Sequence, residues 1–417
     1  MDRSVSAGCI EGTLLPPSSK SYAQRALAAS LLADEVSVLN NIEFCDDTRS
    51  ALRCIETLGA KTHCRNLRTL TIEGGLNPCN DTLYVGESGL STRLFTPIAA
   101  LCSTPIRIQG EGTLLHRPMG LMIEPLRQLG VHLRDGGGYL PFEVCGPMQG
   151  GDLTLDGSIS SQFITGLLLA LPFAKQDTTL HIENAVSTPY IDMTIDTAAK
   201  FGVEICHQGY EEFYIAGNQH YKSTYFNIEG DWSAAAIMLV AGAIAGEVQI
   251  NNVSLLSKQA DTAICTALVR AGAAIINEEH SITVTKRKLR AFEFDATNCP
   301  DLFPALAALA AAAEGVSVLT GTRRLEYKEC NRADALREEY GKLGIEVDID
   351  TENIMKIHGG QIHAAQVSSH DDHRIAMSLA VSALRCSDGE VVIKNAECVA
   401  KSYPSFFEEL ERLRKQK

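Results

Sequence analysis

Three pairs of strand ends, each pair 211 residues apart, constrain this chain more than any other feature. Six short runs rich in β-branched residues, VSVLNN, PIRIQG, LHIEN, EVQINN, VSVLTG and VVIKN, close on Asn41, Gly110, Asn184, Asn252, Gly321 and Asn395. The steps between them are 69, 74, 68, 69 and 74, so the register of the first three recurs in the last three. Two halves of three units each are expected. A second marker runs in phase: TLGAKTH, QLGVHLR, KFGVEIC, RAGAAII and KLGIEVD place Gly59, Gly130, Gly202, Gly272 and Gly344 at steps of 71, 72, 70 and 72. Each glycine reads as a helix C-cap leading into a strand. A period near 70 is too long for the common solenoids. It suits a βαβ-containing unit with an added hairpin. The helices between are built of Ala, Leu, Ile and Gly with few charges, as in PALAALAAAA (304–313). A helix apolar almost all round is a buried one. The expected class is therefore α/β with the helices inside and the sheets outside.

Length and charge limit what such a fold can do. A chain of 417 residues is expected to form two domains. No apolar run approaches the roughly 18 residues of a membrane span. The opening MDRSVSAGCIEGTLL has no signal-peptide pattern. Thirteen cysteines without a C-x-x-C point to a reducing compartment and no zinc site, and a cytoplasmic location is expected. A net charge of −14 argues against nucleic-acid binding, which needs a basic surface. An anionic ligand would have to be captured by a local set of cations.

Such a set is present, in five places. PPSSKSYAQRA puts Lys20, Ser21 and Arg25 at the mouth of an apolar helix; by itself it reads either as a serine cap, Ser18 or Ser19, beside water-facing cations, or as an anion site of free N–H groups, hydroxyls and cations. GESGLSTR (86–93) is a glycine-flanked loop able to cradle an anion, with Arg93 behind it. In HRPM, Pro118 holds Arg117 extended. In DGSISSQF, Ser160, Ser161 and Gln162 open another apolar helix. Finally YKECNR, SHDDHRIAM and AKSYP supply Lys328, Glu329, Arg332, His373, Arg374 and Lys401. Asp371 and Asp372 read as caps of the next helix rather than metal ligands. There is no G-x-x-x-x-G-K-[ST], hence no ordinary nucleotide P-loop. Eight cations, Lys20, Arg25, Arg93, Arg117, Lys328, Arg332, Arg374 and Lys401, suit two polyanionic ligands meeting in a cleft between halves.

Taken together and in order, PPSSKSYAQRA, GESGLSTR, HRPM, GSISSQF, STPYIDMT, EGDWSAA, YKECNR, DDHRIAM and AKSYPSFFEEL make the chain resemble the 5-enolpyruvylshikimate-3-phosphate synthase (3-phosphoshikimate 1-carboxyvinyltransferase) family from about residue 12 to 412. The resemblance implies two inside-out α/β domains, each of three βαβαββ units. Their expected bounds are 1–18 plus 229–417 and 19–228, with the active site in the cleft between them. It implies transfer of the enolpyruvyl group of phosphoenolpyruvate to the 5-hydroxyl of shikimate 3-phosphate, a step of aromatic amino-acid biosynthesis that glyphosate inhibits. It also implies Asp301 as base, Glu329 as acid, and Lys20 touching both ligands. Ser21, Arg25, Ser160, Ser161, Gln162, Ser187, Asp301 and Lys328 match binders of shikimate 3-phosphate. Lys20, Gly89, Arg117, Gln162, Arg332, Arg374 and Lys401 match binders of phosphoenolpyruvate. No cofactor, metal, nucleic acid or membrane is expected, and the protein is expected to be a monomer.

The chain departs from the family pattern at four places. Glu87 stands where asparagine is usual, Leu90 replaces a threonine, and Arg324 occupies the place of a ligand-binding asparagine. Asn331 in ECNR removes a carboxylate beside Arg332. Two alternatives have marks this chain lacks. An enolpyruvyl transferase acting on UDP-N-acetylglucosamine would carry Lys-Asn at 20–21 and a cysteine in the loop GEGTLLHRP. A non-catalytic repeat scaffold would have lost Lys20, Asp301, Glu329 and Lys401.

Overall fold

In the computed structural model, which describes residues 1–158 and 160–414, all five marker glycines end helices in the left-handed region. Gly59, Gly130, Gly202, Gly272 and Gly344 have φ of 119°, 82°, 78°, 88° and 86°. Each closes a Schellman motif. The glycine N–H donates to the carbonyl three residues back, and the next N–H to the carbonyl five back, as in Gly272 to Val269 (3.0 Å) and Ala273 to Leu268 (2.9 Å). The strand-end markers obey a similar rule. Asn41, Asn184, Asn252 and Asn395 have φ of 56°, 54°, 60° and 54°, and Gly321 116°. Asparagine tolerates this region because its short amide finds local partners. The Asn41 amide donates to the Ile228 carbonyl at 2.7 Å. Gly110 is the exception, with no positive φ. It is a glycine for space, since a Cβ there would meet the Gly86 carbonyl oxygen and the Leu114 and Leu140 side chains at 2.9 Å.

The chain divides into two compact units, Met1–Pro17 with Gly230–Lys417, and Ser18–Glu229. Among the described residues each unit contains three small sheets. The plainest repeat runs strand Thr82–Tyr84, helix Gly89–Ala99, strand Ile106–Gln109, helix Ile123–Gln128, then strands His132–Arg134 and Phe142–Cys145. The first two strands pair in parallel and the last two add antiparallel, which is a βαβαββ unit. Strands are borrowed to complete other sheets. Tyr225–Asn227 returns to pair with Val36–Asn40. In the other unit Ile10–Leu14 pairs in parallel with Gly246–Asn251, and Arg3–Ser6 antiparallel with Glu390–Lys394.

The first helix of each repeat is buried, for the compositional reason given above. Every residue of Gly89–Ala99, Phe303–Ala311 and His373–Ala383 is buried, and all but Ser233 of Trp232–Ala245. The second helices are less deeply buried. Asp46–Thr57 and Arg332–Lys342 are charged on one face and half exposed. Strands alternate, as in Val36–Asn40, whose Ser37 and Leu39 are buried while Val36 is open. Among the described residues no helix is long and apolar enough to cross a membrane.

Candidate active site

One consequence of the repeats is that, within each unit, the first turns of three buried helices lie side by side. In the unit Ser18–Glu229 these helices are Lys20–Leu32, Gly89–Ala99 and Ser161–Ala170. Each is capped by a serine hydroxyl, Ser19 on Tyr22 N, Ser88 on Ser91 N (3.2 Å) and Ser160 on Gln162 N (3.2 Å). Side chains stitch the turns together, with Ser91 Oγ donating to Gln24 (3.1 Å) and Arg93 to Gln162 Oε1 (2.9 Å). Three converging N-termini make a field that favours an anion.

Arg25 shows how the cations are held. It is 1% exposed and, among the described residues, donates to neutral oxygens: Thr194 Oγ1 (2.9 Å), Thr165 Oγ1 (3.1 Å), and the carbonyls of Ser21 (2.9 Å) and Tyr190 (3.0 Å). Burial pushes its guanidinium down to about 10, with no carboxylate among the causes. Among the described residues no carboxylate pairs with it. Lys20 instead pairs with Asp47, Nζ to Oδ2 at 3.0 Å. Arg117 is extended, with φ −86° and ψ 129°, and lies against Gly89 so closely that a Cβ there would be 2.5 Å from its Nη1. Arg117 Nε is buried without a hydrogen-bond partner among the described residues. Arg93, by contrast, serves the scaffold through Gln162 and the carbonyls of Gly89 and Pro118. Ser187 is buried with φ 56° at the start of the helix Thr188–Lys200.

In the unit Met1–Pro17 with Gly230–Lys417, the helices Trp232–Ala245, Phe303–Ala311 and His373–Ala383 converge likewise. Asp301 sits before the second and receives three cations. Lys328 Nζ and Arg332 Nη1 reach Oδ1 at 3.0 and 2.9 Å, and Arg374 Nη2 reaches Oδ2 at 3.2 Å. Arg332 is the hub. Besides Asp301 it holds Glu329 Oε2 through Nη2 (2.9 Å) and Asp372 Oδ2 through Nε (2.7 Å). Burial works to lower its pKa, but Asp372, Glu329 and Asp301 outweigh it and the net shift is upward. Lys328 moves the other way, because burial and the neighbouring arginines, Arg324 among them, outweigh Asp301. Lys401 is buried at the end of the short turn Ala396–Lys401, packed on His373–Ala383.

Four residues escape a reading by motif. Asp47, Thr165 and Thr194 sit inside helices and hold Lys20 and Arg25 from 27, 140 and 169 residues away. Asp372 does cap its helix through Arg374 N (2.8 Å), as expected, but the same carboxylate also holds Arg332. The departures are absorbed locally. Asn331 caps Arg332–Lys342 through Ala333 N (3.2 Å), Glu87 accepts from Thr113 Oγ1 (3.2 Å), and Leu90 is buried in the core.

Each unit thus carries a set of fixed cations, in one of them gripping three carboxylates, which is the chemistry of a protein class that handles anionic ligands. Comparison with known proteins narrows this class. The family model for EPSP synthase (3-phosphoshikimate 1-carboxyvinyltransferase) matches residues 6–410. A 3-phosphoshikimate 1-carboxyvinyltransferase of Clostridium kluyveri is 36% identical over 419 aligned positions, covering 98% of this chain and 96% of that one. Its counterpart in Clostridium acetobutylicum is 35% identical, covering 97% and 95%. The structure of EPSP synthase from Acinetobacter baumannii superposes with a TM-score of 0.84 at 26% identity, covering 99% of this chain and 98% of that one. The chain belongs to the EPSP synthase family.

Proposed function

We propose that this chain transfers the enolpyruvyl group of phosphoenolpyruvate to the 5-hydroxyl of shikimate 3-phosphate and releases phosphate. The observation that carries the mechanism is the Arg332 guanidinium, which holds Asp301 and Glu329 at once, each at 2.9 Å. An addition–elimination needs two proton-transfer groups at a fixed separation. In our reading Asp301 takes the hydroxyl proton as the 5-oxygen bonds to C2 of the enol. Glu329 delivers a proton to the methylene carbon, giving a tetrahedral intermediate. The methyl group then returns a proton to Glu329, the C2–O bond to phosphate breaks as the departing oxygen takes up the proton held by Asp301, and the double bond re-forms.

Arg25, with its uncompensated charge, and Ser21, Ser160, Ser161, Gln162, Ser187 and Lys328 are assigned to shikimate 3-phosphate. Gly89, Arg117, Gln162, Arg332, Arg374 and Lys401 are assigned to phosphoenolpyruvate, and Lys20 to both. Arg332 already commits its Nε and Nη groups to three carboxylates, so its contribution to ligand binding is secondary to holding those carboxylates. The test is phosphate release from phosphoenolpyruvate with shikimate 3-phosphate or UDP-N-acetylglucosamine as acceptor. Release is expected with the first alone. Release with only the second would reassign the chain to the other acceptor.

A further inference from the structure

Asp261 is a buried carboxyl that the mechanism above does not use. It is 2% exposed, in the short turn Ala260–Ala263 beneath the start of the helix Trp232–Ala245. That helix does not need it as a cap: Asp231 Oδ1 accepts from Ala234 N (2.9 Å) and Gln259 Oε1 from Trp232 N (3.0 Å). Among the described residues Asp261 accepts one side-chain hydrogen bond, from Ser233 Oγ to Oδ2. Its other oxygen, Oδ1, is buried without a hydrogen-bond partner among the described residues. An orphaned buried carboxyl oxygen is costly and calls for an explanation.

The explanation lies one bond further on. Ser233 gives its proton to Asp261, so its oxygen is free to accept, and it accepts from Arg374 Nη2 at 3.1 Å. The same Nη2 reaches Asp301 Oδ2 at 3.2 Å. An Nη nitrogen carries two hydrogens in one plane, so fixing one aims the other. We propose that Asp261, acting through the Ser233 hydroxyl, is a positioning residue that aims the Arg374 guanidinium at Asp301. This rests on the reading that Arg374 and Asp301 serve the enolpyruvyl transfer.

The electrostatics agree. Burial pushes the Asp261 carboxyl up to about 7, partly offset by Arg374 and reinforced by Asp301 and Asp231. A neutral or half-protonated carboxyl can accept from Ser233 without drawing the guanidinium off Asp301 into a second ion pair. The aim is set by a hydrogen bond rather than by a competing charge.

The test is steady-state kinetics on the full chain. Ser233→Ala and Asp261→Ala are expected to raise the phosphoenolpyruvate KM roughly tenfold while leaving that for shikimate 3-phosphate within about twofold, the loss of one charge-assisted contact being of this order. Asp261→Asn, whose amide oxygen still accepts from Ser233, should restore most of the loss. In an Arg374→Lys background Ser233→Ala should add nothing further, because the residue it acts through is already changed. A purely structural role would lower Tm without this selectivity, rescue or non-additivity. If Ser233→Ala leaves the KM unchanged while Arg374→Ala raises it, or if the two effects simply add, the positioning role is overturned. If Arg374→Ala and Asp301→Asn both retain full activity, it is the functional reading beneath it that fails. Should Asp261→Ala not fold, Ser233→Ala and Asp261→Asn decide alone.

Discussion

Glu329 and Asp301 are held by the same guanidinium, yet their assigned tasks differ, and single substitutions separate them. Glu329→Gln keeps the volume and the carbonyl oxygen that Arg332 grips. It should bind shikimate 3-phosphate normally and lose roughly 10²–10⁴-fold in turnover, the usual worth of a placed acid–base group. Turnover and ligand titration on the same preparation check this, and near-normal turnover would remove Glu329 from the mechanism. Arg117 is the cleaner probe of anion binding, because its Nε has no internal acceptor among the described residues. A charge-assisted bond is worth about 1.5–3 kcal/mol. Arg117→Ala should therefore raise the phosphoenolpyruvate KM roughly ten- to a hundredfold with little change in Tm; a larger effect on shikimate 3-phosphate would show that the ligands are assigned to the wrong residues. The cations and the two carboxylates could be read from short motifs, since chemistry of that kind needs particular residue types at particular spacings. Thr165, Thr194, Asp47 and Asp261 could not. Each acts on a partner distant in sequence, and a threonine or aspartate inside a helix or short turn carries no local mark of that partner.

At the scale of single elements, the Schellman glycines separate backbone strain from crowding. At Gly272, φ is 88° and the nearest atom to an added Cβ is the Lys288 carbonyl oxygen at 3.5 Å, an ordinary contact. Gly272→Ala should then cost only the left-handed penalty, about 1–2 kcal/mol. At Gly344, with φ 86°, the Cβ would also lie 2.7 Å from His363 Cδ2, so Gly344→Ala should cost more. Urea denaturation of both variants checks the order, and equal midpoints would contradict it. These caps were legible because a C-cap glycine follows from local geometry. The different reason for a glycine at 110 was not, since it depends on Leu140 and Gly86 packing in from elsewhere.

At the scale of the whole molecule, the repeated 211-residue register made two triplets of units legible, whereas the borrowed strands were not. Nothing in RSVS or EVVIK says that Arg3–Ser6 lies against Glu390–Lys394, because a pairing such as Arg3 with Ile393 spans nearly the whole sequence and leaves no local trace. Deleting residues 1–8 should therefore loosen a sheet at the far end of the sequence. Amide exchange is expected to rise in 390–394 and to stay unchanged in 36–40 and 225–227. Equal loosening in both places would contradict the pairing. The two crossings carry a further consequence. Ser19 N donates to the Glu229 carbonyl and Asp231 N to the Pro17 carbonyl, each at 2.8 Å. One unit thus starts and finishes at neighbouring points, as an insert does in a host. Excised as residues 18–229, it takes with it every strand its own sheets require, and a host sealed from residue 17 to 230 keeps all of its own. Topologically, either piece could have been a free-standing ancestor of the other.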